Sequence, residues 1–154
     1  EKYKSCLLLH ASDLPRGRGW SPYVWEIING SEQITVSLLE AEDKVDSGRV
    51  WKKITTSIPK HALWNEINEI LFSVEIDLID LAVNSFNEIE PQVQSLDISP
   101  TYYLRRRPED SRLNSEMSIA EQFDSIRVCD PLRYPAYFEM YGQRFKLTIE
   151  KMNE

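Results

Sequence analysis

The chain is short of basic residues and of cysteine, and it has no long apolar run; each shortage closes off a class of function. Against 25 Asp and Glu stand 18 Lys and Arg, a formal net charge of −7 with a pI near 5.0. Gripping DNA or RNA through phosphates needs a basic face that releases counterions, so nonspecific nucleic-acid binding is disfavoured. The two cysteines, Cys6 and Cys129, lie far apart without CxxC spacing. Neither a disulfide framework nor a zinc site follows, and both thiols are expected to be reduced and packed. No cluster of metal ligands is visible elsewhere. No apolar stretch approaches the ~18 residues that span a bilayer, and no signal-peptide pattern opens the chain, so a cytoplasmic protein without a membrane role is the expectation. The rest of the composition is ordinary for a globular protein: 154 residues, 42% hydrophobic and 28% charged, enough for one domain with a sizeable core.

The organising stretch runs from Leu7 to Asp46. An apolar run, Cys6-Leu7-Leu8-Leu9, reads as a buried strand that delivers His10 to its end, and a loop punctuated by Pro15, Gly17 and Gly19 comes directly after it. Ser21-Pro22 predicts a helix start, with Ser21 as cap and Pro22 in the first helical position. The helix runs from Pro22 to Asn29 and stops at Gly30. A second strand, Gln33 to Glu40, empties into the acidic turn Glu40 to Gly48. One βαβ-like unit thus places an imidazole and a carboxylate at one edge of a sheet, where open α/β folds bind ligands. Taken singly, His10 is ordinary for a hydrogen-bonded strand end and Asp46 for a solvated turn.

Taken in order, the pattern says more. His10-x-Ser12-x-Leu14-Pro15, then Gly19 and Pro22, then Val45-Asp46-Ser47-Gly48, with His10 and Asp46 36 positions apart, resembles the formyltransferase family. These are 10-formyltetrahydrofolate-dependent enzymes that include methionyl-tRNA, glycinamide ribonucleotide and amino-sugar formyltransferases. Two positions depart from the family's motif. Leu8 stands where the family has an Asn, two residues before the His, and Arg49 stands where a second carboxylate is common. The wording from Ser12 to Pro22 resembles the sugar-modifying branch more than the tRNA enzyme. A family strand order would also put a Rossmann-like half ahead of Glu1, leaving an open parallel strand edge here. The chain is therefore expected to be part of a longer one.

Beyond the acidic turn, Arg49 to Ile58 reads as a β-branched strand closed by Pro59. From Lys60 to Phe86, apolar residues recur at three- and four-residue steps, predicting one long amphipathic helix or two joined ones, with His61 exposed in its first turn. Glu88 to Ser99 reads as a connection. Tyr102 to Leu113 is aromatic and basic, and on charge alone its three arginines, Arg105, Arg106 and Arg107, are expected to pair with surface carboxylates. Ser118 to Val128 predicts a helix with Ser118 and Glu121 in capping-box spacing. Ala136 to Met140 and Arg144 to Ile149, flanking Tyr141-Gly142-Gln143, predict a β-hairpin. The Arg-x-Pro-Glu-Asp phrase and the Arg-Tyr-Pro-Ala-Tyr-Phe strand are similar to segments that come after the catalytic core in sugar N-formyltransferases, so the resemblance covers essentially the whole chain.

The resemblance implies an α/β fold: the C-terminal half of a Rossmann-like formyltransferase domain over residues 1–99, then a small α+β extension, a short helix plus hairpin, over residues 100–154. It also implies roles for individual residues. An unprotonated amine attacks the formyl carbon of 10-formyltetrahydrofolate, His10 donates to the developing oxyanion, worth ~3 kcal/mol for a well-placed donor, and Asp46 orients His10 or takes the amine proton. Lys44, Val45, Asp46 and Gly48 would line the cofactor site. Arg16, Arg18 and Trp20, on a loop able to close over substrate, and Arg107 would bind the acceptor, since Arg suits phosphate; the competing view of that loop is a mobile surface segment with no ligand role. The acceptor implied is a small molecule, a nucleotide-linked amino sugar used in making a surface glycan, and a homodimer is admitted. The rivals are a methionyl-tRNA formyltransferase-like enzyme, a hydrolase that passes the formyl group to water, and an inactive folate- or nucleotide-binding remnant.

Overall fold

Alternating apolar residues in three short stretches build the centre of the molecule. The structure, a computed structural model, describes residues 4–152. In chain order, β1 (Leu7–His10), β2 (Arg18–Gly19), α1 (Pro22–Ile28), β3 (Gln33–Glu40), β4 (Val50–Ser57) and α2 (Trp64–Asn84) come first. They are followed by β5 (Tyr102–Tyr103), a 3-10 turn (Pro108–Ser111), α3 (Phe123–Arg127), β6 (Ala136–Met140) and β7 (Gln143–Leu147). The result is mixed α/β.

The main sheet has the order β1-β3-β4, and both pairings are antiparallel. This corrects the βαβ expectation. A parallel return must carry the chain back along the whole strand, and α1 has only 7 residues, a rise of about 10 Å, against about 26 Å for an eight-residue strand. The chain instead leaves β1 at His10, winds through the loop and α1, and re-enters at the same end, with His10 opposite Ser37 and Leu7 opposite Glu40. β1 is the sheet's edge, with no second neighbour among the described residues.

Successive strand residues face opposite sides, so the sheet's two faces have different jobs. Ile34, Val36 and Leu38 of β3 join Val24 and Ile27 of α1 and Ile67, Leu71, Val74 and Leu78 of α2 in the principal core. Those α2 positions recur at three and four residues, and the segment forms one helix of 21 residues. On the other face lie His10 and Ser37, then Leu8 opposite the fully buried Leu39. A bulge between Leu38 and Leu39 leaves Trp51 unpaired in the ladder. Trp51 turns into the core and packs at 5.0 Å from Phe86. A second, smaller core gathers Leu113, Ile126, Cys129 and Ala136 under the β6–β7 hairpin. Its two-residue turn has Tyr141 and Gly142 both at positive φ, the type I′ geometry that matches strand twist.

Three local expectations are corrected. Ser21 does not cap α1 through its side chain; it sits in the left-handed region, and its carbonyl accepts the Val24 and Trp25 amides. The segment from Ser118 makes the capping-box contacts, Ser118 N to Glu121 Oε2 at 2.8 Å among them, yet only Phe123–Arg127 is helical, because the intervening residues close as turns held by Gln122 on Asn114 and Met117. Cys6 is exposed while Cys129 is buried, and both are free thiols. No helix among the described residues is long and apolar enough to cross a membrane.

Candidate active site

Asp46 leaves β3 at the end away from His10, so a shared sheet edge cannot unite them. The turn after Glu40 does so by folding back over the sheet. Glu40 N–H donates to Arg49 O at 3.0 Å, and Gly48 is pressed so close beneath the Glu40 carbonyl that a β-carbon there would lie 1.9 Å from its oxygen. Asp46 itself takes a left-handed conformation, φ 49°, which Asp tolerates better than most residues. Its Oδ2 lies 3.6 Å from His10 Nδ1 and accepts the Gly19 amide at 2.8 Å. His10 is buried, and its Nε2 is 2.8 Å from Gly17 O. A carbonyl only accepts, so Nε2 carries the hydrogen and Nδ1 is the nitrogen that faces the carboxylate. At 3.6 Å the pair is in ionic contact range but too far apart for a direct hydrogen bond.

The loop between His10 and Trp20 is not a free flap. Gly17 N donates to Thr101 Oγ1 at 2.8 Å, Arg18 N to Thr101 O at 2.9 Å and Trp20 N to Tyr103 O at 3.2 Å, which makes β2 a parallel partner of β5. Beneath it, Ser37 Oγ donates to Ser12 O and Ser12 Oγ to Arg16 O. Lys53 Nζ reaches Asp13 Oδ1 and Leu14 O. Arg18, expected to hold substrate, is buried: Nη2 donates to Gln94 Oε1 at 2.6 Å and Nη1 to the Tyr102 hydroxyl at 3.2 Å. The Arg18 Nε is buried without a partner, but a guanidinium held inside by Gln94 and Tyr102 is not an exposed, closing cation, so that expectation is corrected. Nothing in the sequence points to Gln94, because a single glutamine inside a connection carries no local signal.

The remaining acceptor candidates separate. Arg16 is exposed, engaged only through its backbone to Ser12 and Asp13. Trp20, 57% exposed, lies under the Arg105 guanidinium at 5.1 Å and walls a cleft of about 650 Å³ with Tyr23, Arg106, Arg133 and Tyr134. Arg107 borders a neighbouring cleft of about 850 Å³, whose walls include Trp25, Arg105, Arg106 and Tyr134. Arg106 faces both; its Nη2 donates to Ser111 Oγ at 3.0 Å, and its Nε is buried without a partner. Among the described residues none of Arg105, Arg106 and Arg107 is ion-paired with a carboxylate side chain, contrary to the expectation from charge alone. Neither His10 nor Asp46 lines these clefts, but Trp20 directly follows Gly19, whose amide holds Asp46. In the turn itself, Lys44 and Val45 are exposed while Gly48 is buried.

One further acid belongs to this neighbourhood. Glu26 of α1 lies against the loop, its Oε1 3.1 Å from where a Gly17 β-carbon would be. Burial, with the Asp13 charge adding to it, pushes the Glu26 carboxyl up to about 7 from an ordinary 4.5. The native state then holds more protons than the unfolded chain between those values, so stability is full below pH 4.5, falls as pH rises through 7, and levels off above. Discounted for partial exposure, the loss is about 1–2 kcal/mol. Thermal melts of Glu26→Gln at pH 5 and pH 8 are expected to show that much less pH dependence than the unsubstituted protein; equal slopes would mean that Glu26 is not the titrating group.

Among known proteins, no family model matches the chain. In sequence it is 27% identical over 153 residues to the methionyl-tRNA formyltransferase of Protochlamydia amoebophila, covering 96% of this chain and 47% of the relative. In structure it matches a methionyl-tRNA formyltransferase from Clostridium thermocellum with a TM-score of 0.78 at 24% identity, covering 97% of this chain and 64% of that one. It also matches an N-formyltransferase from Helicobacter canadensis, solved with folinic acid and dTDP-3-aminofucose, with a TM-score of 0.71 at 17% identity, covering 89% and 51%. The two structural likenesses establish the fold. The chain spans about half the length of the curated relatives it matches.

Proposed function

Starting from a chain whose homologues and structural neighbours are formyltransferases, we propose that it carries the amine-activating half of a 10-formyltetrahydrofolate-dependent N-formyltransferase. The acceptor we assign is a nucleotide-linked amino sugar. The observation that carries the reading is the meeting of His10 Nδ1 and Asp46 Oδ2 at 3.6 Å, with Gly19 N–H fixing the carboxylate. 10-Formyltetrahydrofolate, when bound, supplies a formyl carbon on a nitrogen able to leave. The exposed Lys44 and Val45 fit such a molecule, offering an ammonium and an apolar side chain beside Asp46. Asp46 accepts the proton that the attacking amine must lose, because its carboxylate is the basic group that faces Nδ1, the ring nitrogen not engaged by Gly17 O. His10, with Nε2 occupied by Gly17 O, acts through Nδ1, which donates when protonated to an oxygen that gains charge. Leu8 and Leu39 supply no side-chain donor on this face, so a second donor must come from backbone or water.

For the acceptor, the support is the Arg105-Arg106-Arg107 cleft. Cations not paired with carboxylates, beside Trp20, Trp25 and Tyr134, suit a diphosphate and a stacked base. The second reading, methionyl-tRNA as acceptor, draws on the names of the sequence relatives and is weakened by a net charge of −7. The test is tetrahydrofolate release by the native protein given 10-formyltetrahydrofolate with a nucleotide-linked amino sugar, with methionyl-tRNA, or with no acceptor. Release that depends on the amino sugar is expected. Dependence on methionyl-tRNA alone, equal release without acceptor, or no release at all would replace this reading with the tRNA enzyme, the hydrolase or the inert binder respectively.

A further inference from the structure

We infer that Gln94, with Arg18 behind it, is the positioning residue that sets Asp46 against His10. Gln94 is buried, and its three side-chain contacts join segments distant in sequence. Nε2 donates to Asp46 O at 2.8 Å and to Gly48 O at 2.9 Å, and Oε1 accepts from Arg18 Nη2 at 2.6 Å. The amide has two hydrogens on Nε2, and both are used. Arg18 in turn precedes Gly19, whose N–H is bonded to Asp46 Oδ2. The carboxylate is therefore held at its side chain by one neighbour of Arg18 and at its backbone by Gln94, which Arg18 holds. The connection that carries Gln94 is anchored too, since Gln92 and Val50 exchange backbone hydrogen bonds at 2.7 and 2.8 Å.

The clamp is needed because the local bonds that close this turn, Glu40 N–H to Arg49 O, Arg49 to the Glu40 carboxylate and Ser47 to Lys44 O, engage neither Asp46 nor Gly48. Asp46 stands at positive φ, and Glu42 and Asp43 put like charge close to it in the same turn. Without Gln94 the carbonyls of Asp46 and Gly48 lose their buried donor, and the turn keeps its tie to β3 through Glu40 and Arg49 but loses its tie to the connection that carries Gln94. A carboxylate misplaced by about 1 Å costs on the order of 100-fold in rate.

The inference rests on the proposed formyl transfer for its kinetic arm and is independent of it for the other. In the native protein, Gln94→Met, which keeps length but removes donor and acceptor, is expected to lower kcat about 10- to 100-fold with KM within about threefold. In an Asp46→Asn background the same change should cost no more than about twofold, since a residue acting through the carboxylate has nothing left to position. Separately, amide hydrogen exchange at Gly19 and at residues 46–48 should accelerate in Gln94→Met, whatever the protein's activity. Equal kinetic losses in both backgrounds, a change in KM alone, or unaltered exchange would overturn the inference. A wild type that transfers no formyl group while Gln94→Met still speeds exchange would overturn the proposed function and leave the clamp standing. Should Gln94→Met not fold, Gln94→Asn, whose amide is one methylene too short to span both carbonyls, carries the same measurements.

Discussion

Asp46→Asn is expected to lower the rate of formyl transfer by about 10³-fold with the fold intact. The substitution changes chemistry at constant shape. An asparagine carbonyl oxygen still accepts the Gly19 amide, the 2.8 Å bond that fixes the side chain, so the loop geometry survives. A proton acceptor is lost: an amide oxygen cannot hold the proton of the attacking amine. His10→Ala is expected to cost a comparable factor, and the double variant little more than either, because groups that act as a unit lose their joint contribution once. The measurement is single-turnover formyl transfer alongside a thermal melt. A near-native rate for Asp46→Asn, or a rate for His10→Ala that is undiminished, would make the pair a structural contact.

Gly48→Ala is expected to be the most destabilising single methyl in the chain, at about 3 kcal/mol or more. A β-carbon at Gly48 would lie 1.9 Å from Glu40 O and 2.8 Å from Glu40 C, both backbone atoms. Neither side can yield cheaply. Glu40 N–H is bonded to Arg49 O, Gly48 O accepts from Gln94, and Glu40 lies opposite Leu7 in the sheet. Gly30→Ala makes the comparison informative, because φ there is +90° and nothing lies within 4 Å of the new atom. Its cost is conformational alone, about 1–2 kcal/mol. Urea unfolding of the two variants should therefore differ by about 1–2 kcal/mol or more; equal losses would show that the turn relaxes around the methyl. Because the turn carries Asp46, Gly48→Ala should also reduce formyl transfer at temperatures where it remains folded.

The two changes probe the same object from different directions. Asp46→Asn leaves the turn in place and removes its chemistry, whereas Gly48→Ala leaves the chemistry and displaces the turn. A protein in which the first reduces rate without loss of stability and the second reduces both has its carboxylate placed by the packing of Gly48 under β3. The Glu26 titration lies one layer away, against Gly17, whose carbonyl holds His10.

Local periodicity and turn chemistry, read along the sequence alone, determined β3, β4, the apolar face of α2 though not whether it was one helix or two, and the β6–β7 hairpin, because each is written in residues close together: alternation at two, recurrence at three and four, a Tyr-Gly turn. The ordered motif from His10 to Gly48 determined the resemblance to formyltransferases. The tertiary structure decided everything that depends on where a connection returns. The antiparallel pairing of β1 with β3 comes from α1 being too short to cross the sheet, and the burial of Arg18 comes from β5 arriving beside β2 from 84 residues away. Gln94 became legible only once its loop was seen against Asp46, 48 positions earlier. Spacing along the chain encodes which face of an element is apolar; it does not encode which distant polar group will meet which, since those bonds form only after the core has chosen how its elements lie.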